Sequence, residues 1–308
     1  MTPSAASTSA TAVRNPVHLA PVPYKLVGVN AALKAASDPS FEVKPEIFSE
    51  FSLKGKTAAV TGGDGGLGLE FCIVLAELGA AVYAIDLPTS VSSDFEAAVA
   101  YCKKLGTSLK YKSADVTDPE QVNAVFEEIA SENEGKVDVL IAAAGILGSE
   151  NDVEKYPPEL FRKVMDVNCS GVFYSAQAAS SIMKRAGVAG SIILIASMSG
   201  SVVNREMKWA AYNISKSAVI QMARSMACEL GQFGIRVNSL SPGHIRTKMT
   251  AAVLDVEPET EAFWASLNPL GRIGAVHELR GVAAWLASDA SSFCTGSDIL
   301  VSGGHTVW

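Results

Sequence analysis

From Leu53 onward, short apolar runs alternate with segments of helical spacing. The runs are Thr57–Val60, Ala81–Ile85, Leu109–Ser113, Val137–Ala142, Ser191–Ile195, Arg236–Leu240 and Asp298–Val301, each bounded by glycine or turn residues. Near-continuous apolar character, rather than alternation of apolar and polar positions, marks strands covered by helices on both faces. Between them, helical patterns span Leu67–Leu78, Glu96–Leu105, Pro119–Glu132, Glu159–Arg185, Trp209–Gly231 and Val276–Ser288. The alternation predicts repeated βαβ units, hence an α/β, doubly wound fold with a parallel sheet of about seven strands. Upstream, Pro3, Pro16, Pro21, Pro23, Pro39 and Pro45 punctuate a stretch with little periodic pattern. Residues 1–52 are therefore expected to form an arm, partly disordered or packed on the surface, ahead of a single domain at 53–308.

Composition narrows the classes. With 48% hydrophobic and 19% charged residues, the chain is too apolar to be disordered. No stretch reaches the roughly 18 consecutive apolar residues of a spanning helix, so no membrane role is expected. A net charge of −7 argues against a nucleic-acid partner. Cys72, Cys102, Cys169, Cys228 and Cys294 are scattered without metal-ligand spacing, so neither a disulfide framework nor a metal site is expected. Residues 1–37 hold Arg14, Lys25 and Lys34 but no acid before Asp38, a faint likeness to an organellar presequence; the cytoplasm is the expected compartment.

The first strand runs into Thr61-Gly62-Gly63-Asp64-Gly65-Gly66-Leu67-Gly68 and then directly into a helix. In a strand–turn–helix context, glycines at Gly62, Gly66 and Gly68 let the backbone approach a pyrophosphate, whose charge the helix N-terminal amides of residues such as Leu67 can meet. This is the dinucleotide-binding turn of a Rossmann-type fold. A P-loop is excluded, because Leu69-Glu70 stands where lysine and a hydroxyl residue belong. Asp86 ends the second strand, about 20 residues on, where an acid hydrogen-bonds a ribose 2′-hydroxyl. Asp64 adds a second negative charge, and Leu87 and Pro88 supply no base. Both acids favour NAD(H) over NADP(H).

Downstream, Tyr212 and Lys216 stand at i and i+4 near the start of a helix, on one face. An adjacent ammonium favours phenolate, so the expectation is a phenol with a lowered pKa, suited to acid–base work. Taken alone the pair is an ordinary helix-surface pairing; its place after the strand ending Ile195-Ala196-Ser197 gives it meaning, since doubly wound sheets bind ligands at strand carboxyl ends. Ser197 can hold a substrate oxygen. Asn168 falls inside the long Glu159–Arg185 helix, where an interior amide needs partners.

Thr61-Gly62-x-x-x-Gly66-x-Gly68, Asp86, Asp115, Asn168, Ser197, Tyr212-x-x-x-Lys216 and Pro242-Gly243 resemble, in order and spacing, the short-chain dehydrogenase/reductase family over residues 53–308. The resemblance implies that Tyr212 is the acid/base, that Lys216 binds the nicotinamide ribose, that Ser197 orients the substrate carbonyl and that Asn168 positions a relay water. It places Asp115 and Val116 at the adenine, Ala144 and Gly145 along the cofactor wall, and Pro242, Gly243, Ile245 and Thr247 on the nicotinamide side. One departure is visible: Ala142-Ala143-Ala144-Gly145 stands where the family usually reads Asn-Asn-Ala-Gly, so two bracing amides are absent. The family also implies a homotetramer or homodimer, with Glu159–Arg185 and Trp209–Gly231 pairing across subunits and the Ile299–Trp308 end at a second contact.

Substrate choice is expected to rest on Ile146–Glu150, Ser199–Trp209 and His244–Leu267. These offer Asn204, Glu206, His244 and Trp264 as polar contacts, with Ser199 and Trp209 beside them, among apolar neighbours; for each of the four polar contacts a solvated loop side chain is the plainer reading. Phe51–Lys56 and Thr295–Trp308 look like the frame of fungal polyol dehydrogenases and ketose reductases of the mannitol, arabinitol, sorbose and xylulose type. The expected activity is NAD(H)-dependent interconversion of a secondary alcohol and a ketone, with a polyol and its ketose as the pair. A 3-oxoacyl or other carbonyl reductase, and a dinucleotide sensor without turnover, are the alternatives.

Overall fold

In the computed structural model, which describes residues 25–247, 250–251, 254–255 and 258–308, the apolar runs join into one sheet. Its strands are β1 (Thr57–Thr61), β2 (Ala81–Asp86), β3 (Ser108–Ser113), β4 (Val139–Ala142), β5 (Ser191–Ile195), β6 (Arg236–Pro242) and, after the short pair β7 (Ile245–Arg246) and β8 (Gly274–Ala275), β9 (Asp298–Val301). The order is β3-β2-β1-β4-β5-β6-β9, and every pairing is parallel. The winding reverses between β1 and β4, so a crevice opens at their carboxyl ends.

Burial on both faces holds for β1, β4 and β5, whose residues are all buried. It fails at the margins. In β3 only Leu109 is buried, while Lys110 and Lys112 reach Glu132 and Glu128. No residue of β9 is fully buried. An edge strand lacks a neighbour, and charged side chains there deter pairing with another sheet.

Helices α1 (Gly28–Ser37) and α2 (Ile47–Glu50) occupy the arm, where the sequence shows little periodicity; residues 1–24, with most of the presequence-like stretch, lie outside the described residues. Helix α3 (Gly66–Glu77) follows the glycine turn. Helix α4 (Ser93–Lys104) begins a turn before the expected Glu96, because the Ser92 hydroxyl accepts from Phe95 N at 3.2 Å as an N-cap. Helix α5 (Pro119–Ser131) starts where proline and a capping Asp118 place it.

The Glu159–Arg185 segment is not one α-helix. It divides into α6 (Pro158–Met165), a π-helical turn at Asp166–Gly171 and α7 (Val172–Ala186). Gly171 packs so closely on Val116 that an added Cβ would stand 2.8 Å from its Cγ2. Asn168 bonds sideways to another segment, and the widened turn accommodates both demands. Helix α8 (Ala210–Leu230) carries Tyr212 and Lys216. Helix Pro258–Ser266 has no counterpart in the sequence reading, and Val276–Ser288 begins as a 3-10 turn before helix Arg280–Ala287. Apolar residues of α5, α7 and α8 fill one face of the sheet, and those of α3, α4 and Arg280–Ala287 fill the other.

Candidate active site

The glycine turn is built by close approach. An added Cβ at Gly68 would stand 2.0 Å from the Gly62 carbonyl oxygen, and one at Gly62, where φ is +68°, would stand 2.9 Å from the Ala144 backbone. These glycines pack the turn against β4 and the start of α3. At Gly65 and Gly66 an added Cβ would meet nothing within 4 Å, so the other side of the turn is open. Gly65 caps α3 without a side-chain bond, leaving the first-turn amides of Gly66, Leu67 and Gly68 to face that opening.

Asp86 supports this turn directly. Its Oδ2 accepts from Asp64 N at 3.0 Å and its Oδ1 from Leu87 N at 2.8 Å, while Asp64 Oδ1 accepts from Ser92 N at 2.8 Å. Burial, with the charges of Asp86 and Asp64, pushes the nearby Tyr111 phenol up to about 12. The end of β2 is thus an electronegative corner. Asp115 spends Oδ1 on Thr117 N and Oγ1, at 2.8 and 2.7 Å, and Val116 beside it is buried.

At the end of β4, where the family's two amides are absent, the backbone is bonded to Thr61. Thr61 Oγ1 accepts from Ala144 N and Thr61 O from Ala143 N, each at 3.2 Å. Beyond it, Asn168 is fully buried: Oδ1 accepts from Ile146 N at 2.8 Å, and Nδ2 donates to Ile146 O at 2.8 Å and to Ser215 Oγ at 3.1 Å. Both amide hydrogens are therefore engaged, and the side chain ties the β4 loop to α8. An added Cβ on Gly145 would stand 3.3 Å from Asn168 Oδ1 and 3.5 Å from Lys216 Nζ, which brings these two side chains to either side of a bare backbone.

Lys216 is buried and its Nζ donates to Ile195 O at 2.9 Å. Burial pushes its pKa down to about 8. Its Nζ lies 5.6 Å from the Tyr212 ring centroid. The expectation of a lowered phenol pKa is not met here: burial raises Tyr212, and the opposing influence is the Ser197 hydroxyl bonded to it, not the ammonium. Ser197 stands just past β5, and its Oγ also accepts from Ser199 N at 3.2 Å. A hydroxyl, a phenol and an ammonium thus meet at one strand end, which suffices to hold a carbonyl or alcohol oxygen and to move a proton at it.

The profile of the enoyl-(acyl carrier protein) reductase family matches residues 62–306. Sorbose reductase SOU1 of Candida albicans is 36% identical over 282 residues, covering 90% of this chain and 96% of that one. The NADP-dependent mannitol dehydrogenase of Hypocrea jecorina is 37% identical over 262 residues, covering 83% and 94%. Among solved structures, the NADPH-dependent 3-quinuclidinone reductase of Rhodotorula rubra superposes with a TM-score of 0.78 at 33% identity, over 88% of this chain and all of that one. The chain belongs to the short-chain dehydrogenase/reductase family. Members are oxidoreductases that bind a nicotinamide dinucleotide, and the open, amide-lined glycine turn beside the Asp86 corner fits one.

Among the residues expected to choose the substrate of this dehydrogenase/reductase, Trp209 N-caps α8 and meets the Tyr212 ring edge-on at 6.3 Å. Ser199 Oγ accepts from Asn204 Nδ2 at 2.8 Å, both residues being buried. His244 stacks on Trp264 at 4.4 Å, and Met207 packs against the cluster of Leu254, Trp264 and Ile273, so the two segments meet at one apolar cluster. Reading Asn204, His244 and Trp264 as solvated loop side chains is therefore wrong; each is buried, whereas Glu206 is exposed at φ +66°. Gly243 N donates to Val301 O at 2.9 Å, Pro242 closes β6 and Ile245 is buried. Thr247 turns inward on its own chain, its N donating to Thr250 Oγ1 at 2.8 Å. Sequence reasoning missed Thr61, Ser215 and His305 as supports. Only Ser215 carried a signal, its place between Tyr212 and Lys216.

Among the described residues, no cluster of ligating side chains could hold a metal ion, and no helix is long and apolar enough to cross a membrane.

Proposed function

We propose that this enzyme interconverts a sugar alcohol and its ketose, with NAD(H) preferred over NADP(H). The observation that carries the reaction is the meeting of Ser197, Tyr212 and Lys216 beside the open glycine turn. The dinucleotide, when bound, supplies or accepts hydride at the reacting carbon. Ser197 holds the oxygen of that carbon, and Tyr212 gives it a proton in reduction or takes one in oxidation. Lys216 binds the nicotinamide ribose from the strand end, and Asn168 fixes the loop and α8 on either side of it. Proximity rather than new covalent chemistry is the protein's contribution.

The polyol class is supported by the relatives named for sorbose and mannitol. The NAD(H) preference rests on the electronegative corner at Asp86 and Asp64, which would repel a 2′-phosphate; it runs against the NADP and NADPH named for two of the three similar proteins. Exposed Phe173 on α7 and Ile214 on α8 support pairing of those helices in a homodimer or homotetramer, and exposed Val307 and Trp308 a second contact. Absorbance of reduced cofactor, with both dinucleotides against polyols, hydroxyacyl thioesters and other alcohols, tests substrate and preference together. Tyr212→Phe should bind cofactor and lose about 100-fold or more in turnover; near-normal turnover would refute its role.

A further inference from the structure

Two buried polar atoms on the substrate wall lack a hydrogen-bond partner among the described residues: Asn204 Oδ1 and His244 Nε2. Their residues are only 3% and 8% exposed. Native proteins rarely leave such atoms unsatisfied, because stripping them of water without replacement is costly. Neither is free to turn away. Asn204 is held by its bond to Ser199 Oγ, and Ser199 N in turn donates to Ser197 Oγ, so the amide sits two hydrogen bonds from the hydroxyl that holds the reacting oxygen. The His244 ring is clamped between the face of Trp264 and the edge of His305 at 5.2 Å, and its backbone O accepts from Gly274 N at 2.8 Å. His305 is itself fixed, its Nδ1 lying 3.0 Å from Asn268 Oδ1. The two residues border one apolar cluster: Trp264, on which His244 stacks, belongs to it with Leu254 and Ile273, and Met207, whose N donates to Asn204 O at 3.2 Å, packs against it.

We propose that Asn204 Oδ1 and His244 Nε2 form a pair that reads the hydroxyl groups flanking the reacting carbon, so that the enzyme selects a substrate hydroxylated next to its carbonyl. The inference rests on the polyol reading and sharpens it. Oδ1 is an acceptor and takes a hydroxyl proton; Nε2 of a neutral imidazole gives or accepts one according to tautomer. Burial and His305 keep this imidazole neutral, lowering its pKa to about 4. A site built on buried polar atoms rejects an analogue lacking their partners far more strongly than an apolar pocket rejects an added hydroxyl.

The test uses the intact enzyme with a ketose and its analogue lacking the hydroxyl on the carbon beside the carbonyl. For wild type, kcat/KM should fall by about 10- to 100-fold on removing that hydroxyl. In Asn204→Ala, and in His244→Phe, which keeps the aromatic stack, the ratio between the two substrates should collapse toward unity. Cofactor binding by fluorescence checks that each variant is folded, and the two lie on separate segments. If wild type discriminates and the folded variants discriminate equally, the pair has no such role and the polyol reading stands. If wild type favours the deoxy analogue or does not turn over the ketose, the polyol reading fails and the pairing with it.

Discussion

Replacing Lys216 by methionine should stabilise the apoprotein while ending its activity. The ammonium is buried, makes one bond to Ile195 O, and has its pKa pushed from 10.5 down to about 8 by the loss of water. A lysine with a depressed pKa binds protons more weakly in the folded chain than in the unfolded one. Stability is therefore reduced at neutral pH and recovers as pH climbs from about 8 to 10.5. At about 1.4 kcal/mol for each tenfold change in proton affinity, the cost at pH 7 is about 3 kcal/mol. Methionine fills a similar volume without that charge. Urea unfolding of apoprotein should find Lys216→Met ahead of wild type at pH 7, with the gap narrowing by about 2 kcal/mol at pH 10. Lys216→Arg, which cannot shed its proton, should lose stability instead. A gap between methionine variant and wild type that is the same at both pH values would refute the reasoning.

Gly68→Ala places a Cβ 2.0 Å from the Gly62 carbonyl oxygen, so the turn must open; cofactor affinity measured by fluorescence titration should fall by about tenfold or more. Asp86→Ser removes a carboxylate from the corner that raises Tyr111, and the ratio of kcat/KM with NADP to that with NAD should rise by about tenfold. An unchanged ratio would count against the electrostatic account of preference. His244, pushed down from 6.5 to about 4 by burial and by His305, stays neutral in the fold while the unfolded chain protonates it. Stability should then fall as pH drops from 6.5 toward 4, by up to about 3 kcal/mol. In His244→Phe that part of the acid dependence should vanish from unfolding curves at pH 7 and 4.5.

The strands were legible because a parallel sheet covered on both faces leaves an apolar run for each strand, and β5 is found at the residues the run marks. The glycine turn was legible because close backbone approach admits nothing else at Gly68. The break in Glu159–Arg185 was not, since the cause is remote: Asn168 bonds to Ile146 and Gly171 presses on Val116. Helical periodicity along the segment carries no trace of either contact. Helix α1 was passed over as part of a proline-punctuated arm; its apolar residues Val29 and Leu33 stay exposed, so it adds nothing to the core. Asn204, His244 and Trp264 were legible as candidates, but their burial was not. Polar residues in loops are ordinarily solvated, and only three-dimensional contacts, the stack of His244 on Trp264 and the bond of Asn204 to buried Ser199, distinguish these.

The same distinction between spacing and placement governs the phenol. Four-residue spacing puts Tyr212 and Lys216 on one helix face, yet Nζ is drawn to Ile195 O and exerts no resolved pull on the phenol. What offsets the burial of Tyr212 is the hydroxyl of Ser197, whose bond favours phenolate. The two sources of acidification can be separated. Phenolate absorbance in alkaline titration of the apoprotein, taken as the difference between wild type and Tyr212→Phe, isolates this one tyrosine. Repeated in a Ser197→Ala background, the transition should move to higher pH, because burial then acts unopposed. In a Lys216→Met background it should stay where it is, since the amine has by then already lost its charge, its own pKa lying at about 8. A shift with Lys216→Met and none with Ser197→Ala would return the role to the ammonium and overturn the assignment made from geometry.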